Sequence, residues 1–195
     1  MSPKDNSLII AALAAAVLAS LPVAGLAITP GEEGELANLV PPEDGARACF
    51  ARSYDAAHLA IHPKQTVAEM QFRLTYYIHE PDEFYPQGQR NYYFEVKARQ
   101  KGQSQMLTAA GDCNPAVGGN AIFCSVDCDG GGVTVSRTGD AGNILVDLRT
   151  VGRLRMTLGC GDEEEDAVEL TPGEDDNTFL LTETPAAECP VYEDW

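Results

Sequence analysis

The sequence predicts a mainly β protein: an antiparallel meander of about eight or nine short strands that closes into a small barrel, with one short N-terminal helix. Three observations support this prediction. From residue 67 onward, apolar and polar residues alternate with a period of two; Gly and Asp clusters separate most of these segments; and no second helical pattern lies between them. A sandwich is the alternative, and the barrel is preferred because it leaves no strand edge unpaired.

The length and charge of the chain narrow the class of protein. Its 195 residues are enough for one domain with a sizeable core. Its formal net charge of -17 would repel nucleic-acid phosphates and anionic lipid headgroups. We therefore expect no nucleic-acid partner and no stable membrane association of the mature protein.

Residues 1–27 have the layout of a secretory signal peptide. Lys4 precedes an apolar run at residues 8–19, and small residues follow as far as Ala27. We expect cleavage after Ala27 and a secreted or periplasmic mature protein. The alternative is an uncleaved anchor, since residues 8–27 are long enough to reach across a bilayer.

The mature chain divides into three parts by composition. Residues 28–47 are rich in Pro, Gly and acidic side chains without apolar periodicity, which predicts a flexible acidic leader. Residues 48–190 form the predicted β domain, and residues 191–195 form a short acidic tail.

An even number of cysteines behind an export signal predicts a disulfide framework. Fifteen pairings of six cysteines are possible. We favour a bridge between Cys49 and Cys189, because it would join the two ends of the domain and close the longest loop. A zinc site is disfavoured, since only two of the cysteines are close in sequence. The six cysteines are Cys49, Cys113, Cys124, Cys128, Cys160 and Cys189.

Residues 52–62 carry the one helical pattern, with apolar or aromatic positions at i, i+3, i+4 and i+7 and Pro63 at its end. His58 and His62, with Asp55 nearby, have the spacing of a transition-metal site on a helix. His58 shares the apolar stripe, however, and the residue before a proline tends to leave the helical conformation. We therefore expect His58 to pack the helix against the barrel and expect no metal site.

The strands follow from the period-two alternation. Residues 67–79 place apolar side chains on one face and polar ones on the other, and residues 90–100 repeat the pattern. A Lys101-Gly102 turn leads into a strand at residues 104–110. Further strands are predicted at residues 121–127, 133–138, 144–149, 153–159, 166–171 and 178–183.

Aromatic residues crowd the first predicted hairpin, residues 80–94. Tyr77 and Tyr93 are predicted to point outward, and Phe84 and Tyr85 to lie in the hairpin loop. Exposed aromatic side chains of this kind are typical of a binding surface. The sequence therefore predicts an exported, non-catalytic binding domain for a protein or small ligand, although packing between strands is a competing explanation.

Acidic residues concentrate near the end of the chain, where residues 156–195 contain thirteen acids and no base. This charge offers an alternative function: docking onto a basic exported protein, as an inhibitor of a cationic hydrolase would. A structural calcium site is a third possibility, because oxygen ligands in loops suit that ion. The candidate docking residues are Asp162, Glu163, Glu164, Glu165, Asp166, Glu174, Asp175 and Asp176.

The motifs of common enzyme classes are missing from the sequence. It contains no G-x-S-x-G, no H-E-x-x-H and no phosphate-binding glycine loop before a helix. We therefore expect neither catalysis nor a cofactor.

Overall fold

Eight antiparallel strands form a closed barrel in the computed structural model, which describes residues 27–118, 120–126, 129–139, 142–158 and 167–190. Within these ranges, two further strands form a small separate sheet, and two short helices and a 3-10 turn are also present. The elements are α1 Glu35–Leu39, β1 Arg47–Ser53, α2 Ala56–Ile61, β2 Val67–His79, β3 Gln89–Gln100, β4 Leu107–Pro115, β5 Ile122–Val126, β6 Gly132–Arg137, β7 Asn143–Asp147, β8 Leu154–Met156, β9 Val168–Leu170, β10 Thr178–Glu183 and the 3-10 turn Ala186–Glu188.

The barrel is a meander with one closing contact between distant parts of the chain. Strands β2 to β7 pair in sequence order, β10 pairs with β7, and β1 lies between β2 and β10. The predicted fold class, a small antiparallel barrel of eight or nine strands, is confirmed, and the sandwich alternative is wrong.

The inward side chains of β2 and β3 fill the barrel. Phe72 lies 6.2 Å from Phe94 between ring centroids, and Tyr76 and Tyr92 meet edge to face at 4.9 Å. All four are buried. A barrel of eight strands has an interior just wide enough for side chains, and here aromatic rings occupy it.

The predicted helix at residues 52–62 is too long, and a strand before it was not predicted. Residues Arg47–Ser53 form β1, and the helix covers only Ala56–Ile61. Asp55 caps this helix, accepting a hydrogen bond from the His58 amide at 2.7 Å, so the chain at Tyr54 is still outside it. Ile61, the i+7 position of the apolar stripe that was predicted to pack on the barrel, is 76% exposed.

The acidic leader, residues 28–47, makes contacts that its composition did not predict. Leu36 and Val40 are fully buried, and the Tyr92 hydroxyl donates to the Val40 carbonyl at 3.0 Å. Farther along, Gly45 donates to the Tyr76 carbonyl at 3.0 Å. The segment therefore covers one end of the barrel. Leu36 and Val40 lie in or directly after a helix of five residues, Glu35–Leu39, which is too short for a periodicity to stand out.

The small sheet of β8 and β9 is attached to the barrel through β4 and the start of β6. Isolated bridges join Thr108 to Thr157 and Gly131 to Leu154. Gly131 has φ 75°, and a β-carbon there would lie 2.2 Å from the Arg153 carbonyl oxygen, so this crossing requires glycine. The strands predicted at residues 153–159 and 166–171 exist, although both are shorter than expected and lie outside the barrel.

Two disulfides are present among the described residues. Cys49 pairs with Cys189, as the sequence analysis favoured, and Cys113 pairs with Cys124. Cys128 and Cys160 lie outside the described residues, as do residues 1–26 of the predicted signal peptide. The two bridges are compatible with an oxidising extracellular or periplasmic compartment. None of the helices that the structure describes is long and apolar enough to cross a membrane.

The two disulfides differ in the length of chain that they close, with sequence separations of 140 and 11 residues. We predict that Cys49→Ala with Cys189→Ala lowers the free energy of unfolding by about 2–5 kcal/mol. The matched control, Cys113→Ala with Cys124→Ala, should lose about 2 kcal/mol less, because its loop is short. Urea unfolding measures both. An equal or larger loss in the control would contradict this assignment.

Candidate functional site

The loop between β2 and β3 is closed by its own hydrogen bonds. The Asp82 carboxylate accepts from the Phe84 amide at 2.8 Å and from the Tyr85 amide at 2.6 Å. Gly88 then donates to the Tyr85 carbonyl at 2.8 Å. Gly88 has φ 73°, and a β-carbon there would lie 2.5 Å from the His79 carbonyl oxygen. The loop is thus an Asx-type turn whose shape is encoded in Asp82 and Gly88.

The loop presents Phe84 to solvent. Its side chain is 83% exposed, whereas Tyr85 beside it is half-buried. Phe84 is the aromatic member among the large apolar residues that lie exposed in the described part of the chain. The surrounding loop is acidic, since Glu80, Asp82 and Glu83 are all exposed and no basic residue lies between Glu80 and Gln89.

The other two predicted aromatic residues lie elsewhere. Tyr77 and Tyr93 are half-buried on the outer face of β2 and β3, with ring centroids 6.5 Å apart. His79 joins them, donating or accepting a 2.6 Å hydrogen bond between its Nε2 and the Tyr93 hydroxyl. The four predicted residues therefore form two groups, the Phe84 loop and this outer face. Sequence reasoning missed His79, although it shares the outward parity of Tyr77.

Of the two acidic clusters, Asp162–Asp166 lies outside the described residues, and the other is bound within the protein. Asp176 is only 3% exposed, and its carboxylate accepts from the Thr66 amide at 2.7 Å and the Thr66 hydroxyl at 2.6 Å. Asp175 accepts from the Lys64 amide at 3.0 Å, and Glu174 pairs with the Lys64 ammonium. Assigning Asp176 to a docking surface was therefore wrong. These acids bind the start of β2 because buried backbone donors need acceptors.

We predict that Asp176→Ala lowers the free energy of unfolding by about 1–3 kcal/mol, because it leaves buried donors of Thr66 and Val67 without an acceptor. Glu174→Ala is the control. Its ion pair with Lys64 is exposed, so the loss should stay below about 1 kcal/mol. Thermal or urea unfolding provides the comparison, and similar losses in the two variants would refute the role given to Asp176.

A cleft of about 460 Å³ lies beside α2, against the outer faces of β7 and β10. Tyr54, His58 and His62 form a continuous stack on one wall, with ring centroids 4.6 and 4.4 Å apart. Burial raises the pKa of the Tyr54 phenol above its ordinary value, while Arg52, 5.4 Å over the ring, opposes that shift. His58 is thus half-buried as expected, but it stacks within this wall.

Several polar groups of the cleft are already paired. Gln65 donates through Nε2 to the Val67 carbonyl at 2.7 Å, so its Oε1 is left to accept from His58 Nε2 at 2.9 Å. Arg149 binds Asp147, and its hydrogen bonds lower the pKa of that carboxyl. No three His, Cys, Asp or Glu residues within the described ranges are grouped to hold a metal ion. We therefore interpret these paired groups as part of the packing between α2 and the barrel and do not assign them a ligand.

A calcium site could draw on Asp127 and Asp129, which stand before Gly130 and match the first steps of an EF-hand loop. Asp127 lies outside the described residues. Asp129 has φ 63°, and its carbonyl oxygen accepts a 2.7 Å hydrogen bond from the Arg153 guanidinium. That backbone oxygen is therefore already bound to a cation of the protein itself.

Comparison of the chain with protein-family models, with curated proteins and with solved structures finds no match in any of the three.

Proposed function

We propose that this protein is an exported, non-catalytic binding domain that contacts a partner protein through the Phe84 loop, residues 80–88. One observation carries the proposal: a phenylalanine that is 83% exposed at the tip of a loop with a fixed shape. A preformed loop loses little conformational entropy on binding, so burial of its aromatic side chain contributes directly to affinity. Aromatic anchors of this kind dominate many interfaces.

The chemistry of the loop specifies the kind of partner. Phe84 requires an apolar pocket, and the exposed carboxylates of Glu80, Asp82 and Glu83 favour basic groups at the rim of that pocket. The net charge of -17 adds long-range attraction toward a basic partner. The loop therefore combines the aromatic binding surface with the acidic docking that the sequence indicated as alternatives.

The proposal includes export of the protein from the cytoplasm. It is supported by the apolar run at residues 8–19 and by two disulfides, which persist in oxidising compartments. The partner is accordingly expected in the periplasm or outside the cell.

Capture from the exported fraction of the native host tests the proposal. Oxidised wild-type protein should retain a basic partner, and Phe84→Ala should weaken that binding by about tenfold or more. Ile61→Ala is a matched control, because it removes another exposed apolar side chain, 76% exposed, from a different surface. Both variants should unfold like the wild type, since neither side chain is in the core.

Ionic strength provides a second readout of the same complex. Binding should weaken as salt is added, because the loop carboxylates are exposed and salt screens their attraction. Equal capture by the Phe84→Ala and Ile61→Ala variants would contradict the proposal, and so would salt-independent binding of an acidic partner.

A further inference from the structure

The seam between β1 and β10 leaves the first part of β10 without a neighbour on one side. The last paired residues of the seam are Ala51 and Thr182. Strand β1 ends at Ser53 and the chain then turns into α2, whereas β10 begins at Thr178. On its other side, β10 pairs with β7 along its whole length up to Thr182. Among the described residues, the start of β10 is therefore a sheet edge within an otherwise closed barrel.

Hydrogen bonds at the end of β10 show which way its backbone groups point. The Glu183 amide donates to the Gly142 carbonyl at 2.6 Å, on the β7 side. The Thr184 amide donates to the Cys49 carbonyl at 2.8 Å, on the β1 side. Bonded and non-bonded pairs alternate along an antiparallel ladder, so this direction alternates from residue to residue. The even-numbered residues of β10 therefore direct their N–H and C=O groups toward β1.

Thr178 and Leu180 are the even-numbered residues that β1 does not reach. Their backbone groups point into the gap that β1 leaves, and no described residue bonds to them there. Both residues line the cleft beside α2, and the Leu180 side chain is 40% exposed. Unpaired backbone groups beside an exposed apolar side chain are typical of a site that binds an extended peptide as an added strand.

The gap is closed at one end, where it holds a cation. A strand added beside Leu180 follows the line that β1 leaves, and Ala51, paired with Thr182, occupies that line farther on. Arg52 directly follows Ala51 and lines the cleft. Its guanidinium lies 5.4 Å over the Tyr54 ring and has no hydrogen bond or ion pair with a described residue. An added peptide must therefore end beside a cation, which suits a terminal carboxylate.

The acidic residues of the cleft lie toward its other end. Glu174 and Asp175 precede Thr178 in the chain, at the start of the edge. The Lys64 ammonium binds Glu174, and the Lys64 amide donates to the Asp175 carboxylate at 3.0 Å. These carboxylates are thus engaged within the protein. The two ends of the edge differ in charge, which gives a bound peptide a direction.

We propose that the edge at residues 178–180 binds the free C-terminus of a partner protein as an added strand, with its carboxylate at Arg52. The peptide runs parallel to β10, because the closed end lies toward Thr182. Its last three residues span about 10 Å, enough to pair along the whole edge. The cleft residue Gln65 lies just before β2, whereas the Phe84 loop follows the end of β2. The inference therefore does not depend on that loop.

The last residue of the bound peptide should be apolar. Paired with Leu180, it places its side chain on the same face of the sheet, where Leu145 also lines the cleft. The stacked rings of Tyr54, His58 and His62 form one wall of this cleft. Peptides that end in Leu, Val or Phe are accordingly the probes of choice.

Fluorescence anisotropy tests the recognition of the carboxylate. Fluorescein-labelled Gly-Ser-Thr-Ser-Leu with a free C-terminus should bind the oxidised protein saturably, and the same peptide with an amidated C-terminus should bind about tenfold more weakly or less. Equal binding of the acid and the amide would overturn the proposal. So would the absence of saturable binding at millimolar concentration by all three peptides of this series, which end in Leu, Val and Phe. This comparison needs no variant of the protein.

Arg52→Gln locates the carboxylate. The variant should bind the acid and the amide equally, because the charge that distinguishes them is gone. Arg149→Gln is the matched control: Arg149 lines the same cleft, but its guanidinium binds Asp147, so the preference for the acid should remain. A preference that survives in Arg52→Gln would contradict the proposal.

Amide hydrogen exchange tests the added strand itself. The amides of Thr178 and Leu180 should exchange rapidly in the free protein and slow several-fold with the peptide bound. Phe179 and Leu181, which bond to β7, are the internal control and should be protected in both states. Protection of the first two amides without peptide, or no change on binding, would overturn the proposal. Phe84→Ala should leave these values unchanged, which separates this site from the loop.

Discussion

The barrel depends on the seam where β1 meets β10, because this pairing alone joins the two ends of the sheet. The pairing there is short: Phe50 lies opposite Glu183, and Ala51 opposite Thr182. Cys49 strengthens the seam, since its thiol is bonded to Cys189 and its carbonyl accepts from the Thr184 amide at 2.8 Å. Once the seam is closed, alternate side chains of each barrel strand point to the inside and to the outside of the barrel. The disulfide thus stabilises the shortest strand pairing of the barrel and restricts the unfolded chain.

Closure also explains why the proposed binding loop lies outside the barrel. Aromatic and aliphatic side chains occupy the interior, the leader covers one end through Leu36 and Val40, and the β8–β9 sheet is bridged to β4 and β6. What remains for recognition is the outer surface and the loops. There the chain has a loop held by Asp82 that exposes an apolar ring, and an outer face of β2 and β3 that buries polar side chains such as Thr75. Both features depart from the usual rule that apolar groups are inside and polar groups are outside. Such departures are typical of surfaces that contact other molecules or segments.

Much of this architecture could be predicted from sequence, and the failures have physical causes. Period-two alternation located β2, β3 and β10 closely, because each has one face in the core and one outside it. Strand β1 was missed because the helical pattern after it overlaps its end, and Asp55, a helix cap, was counted inside the helix. The Cys49–Cys189 pairing was predictable from loop closure. The intramolecular role of Asp176 was not, since it depends on donors 110 residues away in sequence. Nor can alternation reveal that an outward face, such as that of Thr75, is itself covered.

Native-state hydrogen exchange on the Cys49→Ala, Cys189→Ala chain tests the role of the seam most directly. If closure depends on this bridge, the amides of β1 and β10 around Ala51 and Thr182 should exchange much faster than in the wild type. Amides in the long β2–β3 ladder should lose only the protection that follows from lower global stability. Equal exchange rates for the seam amides and the β2–β3 amides, in both the wild type and the variant, would contradict this role of the bridge. The barrel would then open and close as one cooperative unit.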